Sequence, residues 1–329
     1  MDRFWQSLGD FRGDMDYINR ELANCIPKAC PSSLYDASRH LTKTGGKRIR
    51  PALVALSFAA TVQNGKDIRY VAPIAVAVEL IHTATIIHDD IIDKSSMRRG
   101  VKTVNAKWGN DTAILAGDLI FSKAFGLVGT HENKDMSRII SRACSKLSEG
   151  EVLEALHTSN TQMTEEVYLE VIERKTASLF EAAARCGAIL GGASEEEIEA
   201  LARYGHLLGI GFQMTDDVLD IVAGQKKLGK QIGMDIKSGK VTVPVLHALK
   251  NSSKDDRKYL KEIVKKKGHS EKDIEVALKI MKKTKSIDYT LKRARSFVEN
   301  AKNELRHLNE SEAKKALGKI ADHTINRQF

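Results

Sequence analysis

An all-α fold is what this sequence predicts, and three observations carry that expectation. No stretch has the period-two alternation of apolar and polar residues that marks a half-buried strand. Residues 51–60 and 71–88 are rich in Ala, Val and Leu and apolar on most faces, as the buried helices of a large bundle are. Ser194, followed three residues later by Glu197, forms a capping-box signature that opens a further long helix.

The first forty residues read as one or two helices, broken by Pro27 and Pro31 near Cys30. Gly45-Gly46-Lys47-Arg48-Ile49-Arg50-Pro51 then forms a flexible turn that carries three cations into a helix beginning near Pro51. A glycine pair lets cations approach an anion closely and a helix start adds a favourable dipole, so the turn suits a phosphate, although a basic loop capping a helix has the same composition. Helices follow over Thr112 to Leu127, over 134–158 past Gly150 with Glu149, Glu151 and Glu154, and over 164–190. Lys175 and Thr176 lie midway along the last of these, where they either snorkel and back-bond or face a polar cavity. Gly224 to Lys240 holds four glycines and five lysines and is read as a lid that folds over a bound diphosphate. From Val241 the pattern is helical again to Phe329.

The chain of 329 residues has no Pro/Ser-rich linker, low-complexity block or short-period repeat, so residues 1–329 are expected to form a single domain. Its net charge of +9 resides in residues 251–329, which carry 21 Lys+Arg against 12 Asp+Glu. Acidic residues are interspersed there and aromatics are scarce, which fits solvated Lys-rich helices and not a nucleic-acid surface. The N-terminus lacks a charged-then-apolar signal pattern, and the longest apolar stretch, Val71 to Ile87, is interrupted by Pro73, Glu79 and His82, so no membrane span is expected. Cys25, Cys30, Cys144 and Cys186 form no close metal or redox spacing and fit a reducing cytoplasm.

The chemistry concentrates in two acidic clusters. Asp89 and Asp93 are four residues apart, so on a helix both carboxylates project from one face, shared by His82 seven residues earlier. Stacked carboxylates repel each other, the more so among Ile86, Ile87, Ile91 and Ile92, and a divalent cation removes the conflict. The pattern recurs at Asp216-Asp217-Val218-Leu219-Asp220 after the apolar run 207–212, and the two clusters read as two walls of one metal site. Oxygen ligands without Cys or His favour magnesium, which bridges protein carboxylates to substrate phosphates and so predicts a diphosphate ligand. That ligand needs protein cations as well, and Arg98-Arg99-Gly100, just past the first cluster, supplies two guanidiniums suited to phosphate oxygens.

Taken in order, these motifs resemble the trans-isoprenyl diphosphate synthase (polyprenyl synthetase) family over nearly the whole chain. The matches are Gly45 to Pro51, Asp89 to Asp93 with Arg98-Arg99-Gly100, Gly150-Glu151, Lys175-Thr176, Gly211-Phe212-Gln213 with Asp216 to Asp220, and Gly229-Lys230 to Gly239-Lys240. Gln231 departs from the family pattern, in which proline often follows the lysine. The resemblance implies a bundle of antiparallel helices around a deep apolar cavity, usually a homodimer. It also implies that Asp89, Asp93 and Asp216 hold three magnesium ions, supported by Asp90, Asp217 and Asp220. Arg98, Lys175, Lys230 and Lys240 would hold an allylic diphosphate, and Lys47, Arg50, His82 and Arg99 would hold isopentenyl diphosphate. Thr176 and Gln213 would line the path of the developing carbocation. A transient membrane contact for product release stays open.

Product length should depend on the cavity floor upstream of Asp89. Ala84, Thr85 and Ile81 stand there, and none is the aromatic residue typical of short-chain members. A helix rises ~1.5 Å per residue, so stepping the floor from 84 back to 74 adds ~15 Å and gives a product of roughly C25 to C40, of the octaprenyl type. A geranylgeranyl (C20) product is the alternative, with a floor on another helix at Ile139, Ala143 or Leu147 also open. Rival readings are a non-catalytic subunit of a heteromeric synthase, a terpene cyclase of similar fold, and a metal-dependent phosphohydrolase built on His88-Asp89 with His40.

Overall fold

A computed structural model describes residues 11–26, 31–43, 46–63, 65, 67–98, 100–222, 233–266 and 269–326. Helices dominate them, as the apolar periodicity requires. By contacts the chain divides into two compact units. The first comprises Met1–Cys144, Ala182–Ala202 and His307–Lys319, and the second Ser145–Glu181, Arg203–Arg306 and Ile320–Phe329.

In the first unit α1 (Phe11–Asn24) and α2 (Ser32–Lys43) precede α3 (Ile49–Thr61), which begins two residues before Pro51. The residue at its N-cap, Arg48, takes the left-handed conformation (φ 47°), which turns the chain sharply into the helix. Nearly every side chain of α3 from Ile49 to Phe58 is buried. Helix α4 (Ile68–Ile92) starts at Asp67, whose carboxylate accepts from Arg69 N at 2.9 Å. Pro73 lies one turn inside α4, where the helix continues through it. By length and composition α4 could cross a membrane, but 72% of its apolar window is buried within the protein, as in a core helix.

A two-residue antiparallel ladder joins β1 (Met97–Arg98) to β2 (Val101–Lys102), pairing Met97 with Lys102 and Arg98 with Val101. It is too short to leave an alternating pattern, which is why the sequence suggested no strand there. After α5 (Val104–Trp108), helix α6 (Asn110–Thr130) is also long and apolar, yet only 33% of its window is buried. Its open face carries Ile114, Leu115 and Phe125.

Helix α7 (Asp135–His157) leads through Thr164, the N-cap of α8 (Glu165–Ile172), into a π turn over Glu173–Ala177 and then α9 (Ser178–Gly191). The helix expected over 164–190 is therefore present but carries a π turn at Lys175-Thr176. Helix α10 (Glu195–Val222) opens on the expected box, with Glu197 N to Ser194 Oγ at 3.3 Å and Ser194 N to Glu197 Oε2 at 2.8 Å. A short α11 (Met234–Lys237) precedes α12 (Val243–Asn251), α13 (Lys254–Lys265), α14 (Glu271–Lys283), α15 (Ser286–Glu304) and α16 (Glu312–Ile325).

Helices α11 to α14 and the end of α10 close over one apolar cluster that includes Ile221, Ile236, Val245, Leu260, Ile263 and Met281. On the exposed faces of the C-terminal helices lysines pair with carboxylates, as in Lys283–Asp256 at 2.8 Å between α14 and α13 and Lys302–Asp322 at 2.9 Å between α15 and α16. The solvated Lys-rich helices expected from the sequence are what the second unit contains.

Two close approaches set the π turn in place. A Cβ added at Gly150 of α7 would lie 2.4 Å from Lys175 N, and one added at Gly209 of α10 would lie 2.6 Å from Ala177 Cα. Both helices thus pack their backbones against the turn where only hydrogen fits. Gly150→Ala is expected to lower stability by about 1–3 kcal/mol through overpacking. Gly318→Ala, at a helical site with nothing within 4 Å of the new methyl, is expected to be neutral or stabilising. Thermal melts of the two variants check this, and equal melting points would contradict the packing account.

Candidate active site

Within each acidic cluster the carboxylates have different surroundings. Asp89 lies in the last turn of α4 and Asp93 at its C-cap, both half-buried, with Asp93 N donating to Asp89 O at 2.8 Å. Asp90 between them is fully buried and accepts from Arg98 Nε at 2.8 Å, which ties the hairpin back to the helix end. In the second cluster Asp216 is half-buried, whereas Asp217 is 4% exposed and accepts from Tyr168 Oη at 2.5 Å and Gln213 Nε2 at 2.9 Å. Asp220 spends both oxygens on the start of α11, accepting from Met234 N at 3.2 Å and Asp235 N at 3.1 Å.

A shallow cleft in the first unit is lined by Leu41, Arg48, Glu79, His82, Thr83, Ile86 and Arg98. Here the structure brings together two expected residues, His82 and Arg98. Lys47 and Arg50, both half-buried, flank Arg48 at the entry to α3. Arg48 itself reaches Glu79 Oε1 with Nη1 at 2.6 Å and Thr42 O with Nη2 at 2.7 Å. The pair is almost fully buried, with side chains 10% and 6% exposed. It clamps the phosphate-type turn to the helix that carries His82 and Asp89. Upstream on α4, Ile81 and Ala84 are fully buried, and half-buried Thr85 donates to His82 O at 2.8 Å. His40 and His88 each bond a backbone carbonyl, Lys102 O at 2.7 Å and Ile114 O at 3.2 Å.

In the second unit the π turn aims Lys175 back at α7. Lys175 Nζ lies 2.5 Å from Glu151 Oε2 and 2.7 Å from Glu154 Oε2, while Lys240 Nζ lies 3.1 Å from that same Glu154 oxygen. Burial works against charge on Glu154, but the two ammonium groups outweigh it and hold its carboxyl below the usual range. One carboxylate therefore gathers two lysines that lie 65 positions apart in the chain. Thr176 Oγ1 donates to Gln213 Oε1 at 2.9 Å.

Burial pushes Asp217 up to about 7, against the hydrogen bonds from Tyr168 and Gln213 that pull it down. Half-buried Asp235 is likewise raised well above the carboxylate range, by desolvation and then by the charges of Asp220 and Asp217. Burial and the neighbouring Asp217 charge raise Tyr168, which stays a protonated donor. Carboxyl groups thus crowd together beside Asp216 in the second unit, a condition that added cations relieve.

Arg99, Lys230, Gln231 and Gly45 lie outside the described residues, as does most of the glycine- and lysine-rich segment expected to act as a lid. Sequence reasoning gave no role to Glu79, Glu154, Tyr168 or Asp235. Tyr168 stands seven residues before Lys175 and Glu154 four after Gly150, spacings that share a helical face and offered a signal. Nothing local singles out Glu79, whose partner lies 31 positions away.

Among the described residues no three or more His, Cys, Asp or Glu side chains converge as a ready-made metal nest. Magnesium does not require one, since it takes one or two carboxylates and completes its shell with water and substrate phosphates. The half-buried carboxylates Asp89, Asp93 and Asp216 fit that pattern as hard oxygen donors.

The polyprenyl synthetase family model matches residues 31–281. A geranylgeranyl diphosphate synthase from Methanosarcina mazei is 40% identical over 327 residues, 98% of each chain. An octaprenyl diphosphate synthase from Haemophilus influenzae is 38% identical across 98% of this chain and 96% of its own. Among solved structures, geranylgeranyl pyrophosphate synthetase from Pyrococcus horikoshii superposes with a TM-score of 0.90 at 37% identity, covering 99% of this chain and 100% of that one. The chain belongs to the polyprenyl synthetase family, the trans-isoprenyl diphosphate synthases, and is a prenyltransferase.

Glu79→Ala would leave the Arg48 guanidinium buried without its counter-ion and is expected to cost about 3–5 kcal/mol. Replacing both partners with Arg48→Met and Glu79→Leu is expected to recover most of that loss. Urea unfolding of the three proteins decides: a double variant no more stable than Glu79→Ala would mean that packing around the pair, and not its charge, is what counts.

Proposed function

We propose that the protein condenses isopentenyl diphosphate head-to-tail with an allylic diphosphate, in a magnesium-dependent reaction, to give an all-trans polyprenyl diphosphate of roughly C25 to C40, a depth set by the ~1.5 Å rise per helical residue. The observation that carries this reading is the convergence of Lys175 and Lys240 on Glu154, beside the cluster headed by Asp216. Two ammonium groups held on one exchangeable carboxylate are ready to transfer to a diphosphate, which offers more negative charge than Glu154 does.

In this reading Asp89, Asp93 and Asp216 hold three magnesium ions, with Asp90, Asp217 and Asp220 supporting them. Bound magnesium would offset the negative charge that develops on the leaving diphosphate. Lys175, Lys240, Arg98 and Lys230 bind that diphosphate, and Lys47, Arg50, His82 and Arg99 bind isopentenyl diphosphate, which must not ionise. The allylic C–O bond breaks and its electron pair leaves with diphosphate. The isopentenyl double bond supplies the pair for the new C–C bond, and the resulting tertiary cation loses a proton to the departed diphosphate. No protein nucleophile is required.

The long product is supported by α4, where Ile74, Ala77, Ile81 and Ala84 are all fully buried and none is aromatic. The relatives do not choose, because both geranylgeranyl and octaprenyl synthases resemble the chain closely, so C20 remains the alternative. The open apolar face of α6, with Ile114, Leu115 and Phe125, supports a second copy as partner. Cytoplasmic location fits Cys25, Cys144 and Cys186, none of which forms a disulfide among the described residues. The lysine-rich C-terminal helices suit a transient contact with an anionic membrane during product release.

Labelled isopentenyl diphosphate with farnesyl or geranylgeranyl diphosphate and magnesium is expected to give a ladder ending between C25 and C40, read by chromatography of the dephosphorylated products. No elongation would return the non-catalytic subunit to first place. Asp89→Ala and Asp216→Ala are expected to abolish turnover while each variant stays folded, and wild-type rates in either would refute the metal assignment. Ala84→Phe is expected to shorten the product. An unchanged ladder would move the floor to another helix.

A further inference from the structure

Buried threonines on helices of this protein have a habit. Thr61, Thr83, Thr215, Thr290 and Thr324 each donate to the carbonyl four residues earlier, at 2.7 to 3.0 Å, and Thr42 to the one three residues earlier at 3.0 Å. Thr176, equally buried, gives its proton instead to Gln213 Oε1 at 2.9 Å. Thr176 lies within the π turn, whereas Ser178 just past it back-bonds to Arg174 O at 2.6 Å.

The polarity of that bond is fixed one link further on. Asp217 takes two donors, Gln213 Nε2 at 2.9 Å and Tyr168 Oη at 2.5 Å. With the Gln213 amide donating from its nitrogen to Asp217, its oxygen faces Thr176, and an amide oxygen only accepts. The Thr176 hydroxyl is thereby committed as a donor inside the protein, and what its oxygen can offer a third group is lone pairs. A group so oriented suits positive charge and repels an anion.

We propose that Tyr168 is a positioning residue for prenyl transfer: by holding Asp217, it fixes the Gln213 amide and turns the lone pairs of Thr176 toward the allylic carbocation. The inference rests on the reading above in which Thr176 lines the cation's path. Tyr168 touches no substrate. Its phenol, 3% exposed, is spent on Asp217, and it acts through three hydrogen bonds in series. Without it, nothing in that series ties the second oxygen of Asp217, and the amide loses the restraint that sets which end faces Thr176.

Tyr168→Phe keeps the ring and deletes the hydroxyl. With saturating magnesium, kcat is expected to fall about tenfold, the rate equivalent of one hydrogen bond to a charged group, with KM for both substrates within twofold. The loss is expected to deepen with a monofluorinated allylic diphosphate, whose cation needs more stabilisation. In the Tyr168→Phe/Thr176→Val double variant the rate is expected to equal that of Thr176→Val alone, because both changes cut the same chain.

An unchanged kcat in Tyr168→Phe, or a penalty that adds in full to that of Thr176→Val, overturns the proposal. If Thr176→Val alone runs at the wild-type rate, the carbocation reading of Thr176 fails first and the proposal falls with it. Should the phenylalanine variant not fold, Gln213→Met breaks the chain at its next link and carries the same comparison.

Discussion

The second unit's chemistry depends on how closely two helix backbones can approach a third. Gly150 and Gly209 bring α7 and α10 against the Glu173–Ala177 turn, at separations where a methyl group would collide with Lys175 N or Ala177 Cα. Held there, the chain takes one wider turn, and the wider turn re-aims two consecutive side chains. Lys175 points back to Glu151 and Glu154, and Thr176 leaves the usual back-bond for Gln213. The packing of three backbones therefore decides which atoms are left for a substrate.

A division of labour runs through both acidic clusters. The middle aspartate of each is buried and engaged by the protein, Asp90 by Arg98 and Asp217 by Tyr168 and Gln213. The first aspartate of each, Asp89 and Asp216, is half-buried. Burying a carboxylate without donors is expensive, and each buried one here has them. The repeated Asp-Asp-x-x-Asp spacing thus combines groups that organise the site with groups that can meet a cation.

Much of this was legible in the sequence because helical periodicity is a strong local signal. The helices around Asp89, Lys175 and Asp216 lie where their apolar patterns put them, and the Ser194–Glu197 box closes as its spacing requires. What stayed hidden was non-local. The Arg48–Glu79 pair joins residues 31 positions apart, and the carboxylate that gathers Lys175 and Lys240 looked like one of three unremarkable glutamates on α7. The π turn was hidden for another reason: the glycines packed against it lie on two other helices, and no propensity of Lys175 or Thr176 announces it. The β1–β2 ladder has too few residues for periodicity to register.

Asp220 fastens the start of α11 to the end of α10. Its own carbonyl receives Gly233 N at 3.2 Å, and its carboxylate receives the next two amides. Asp235 in turn accepts Lys240 N at its carbonyl oxygen, at 2.8 Å. Two hydrogen bonds in series therefore gear Lys240 to the acidic cluster, so that whatever displaces Asp220 displaces the backbone of that lysine with it.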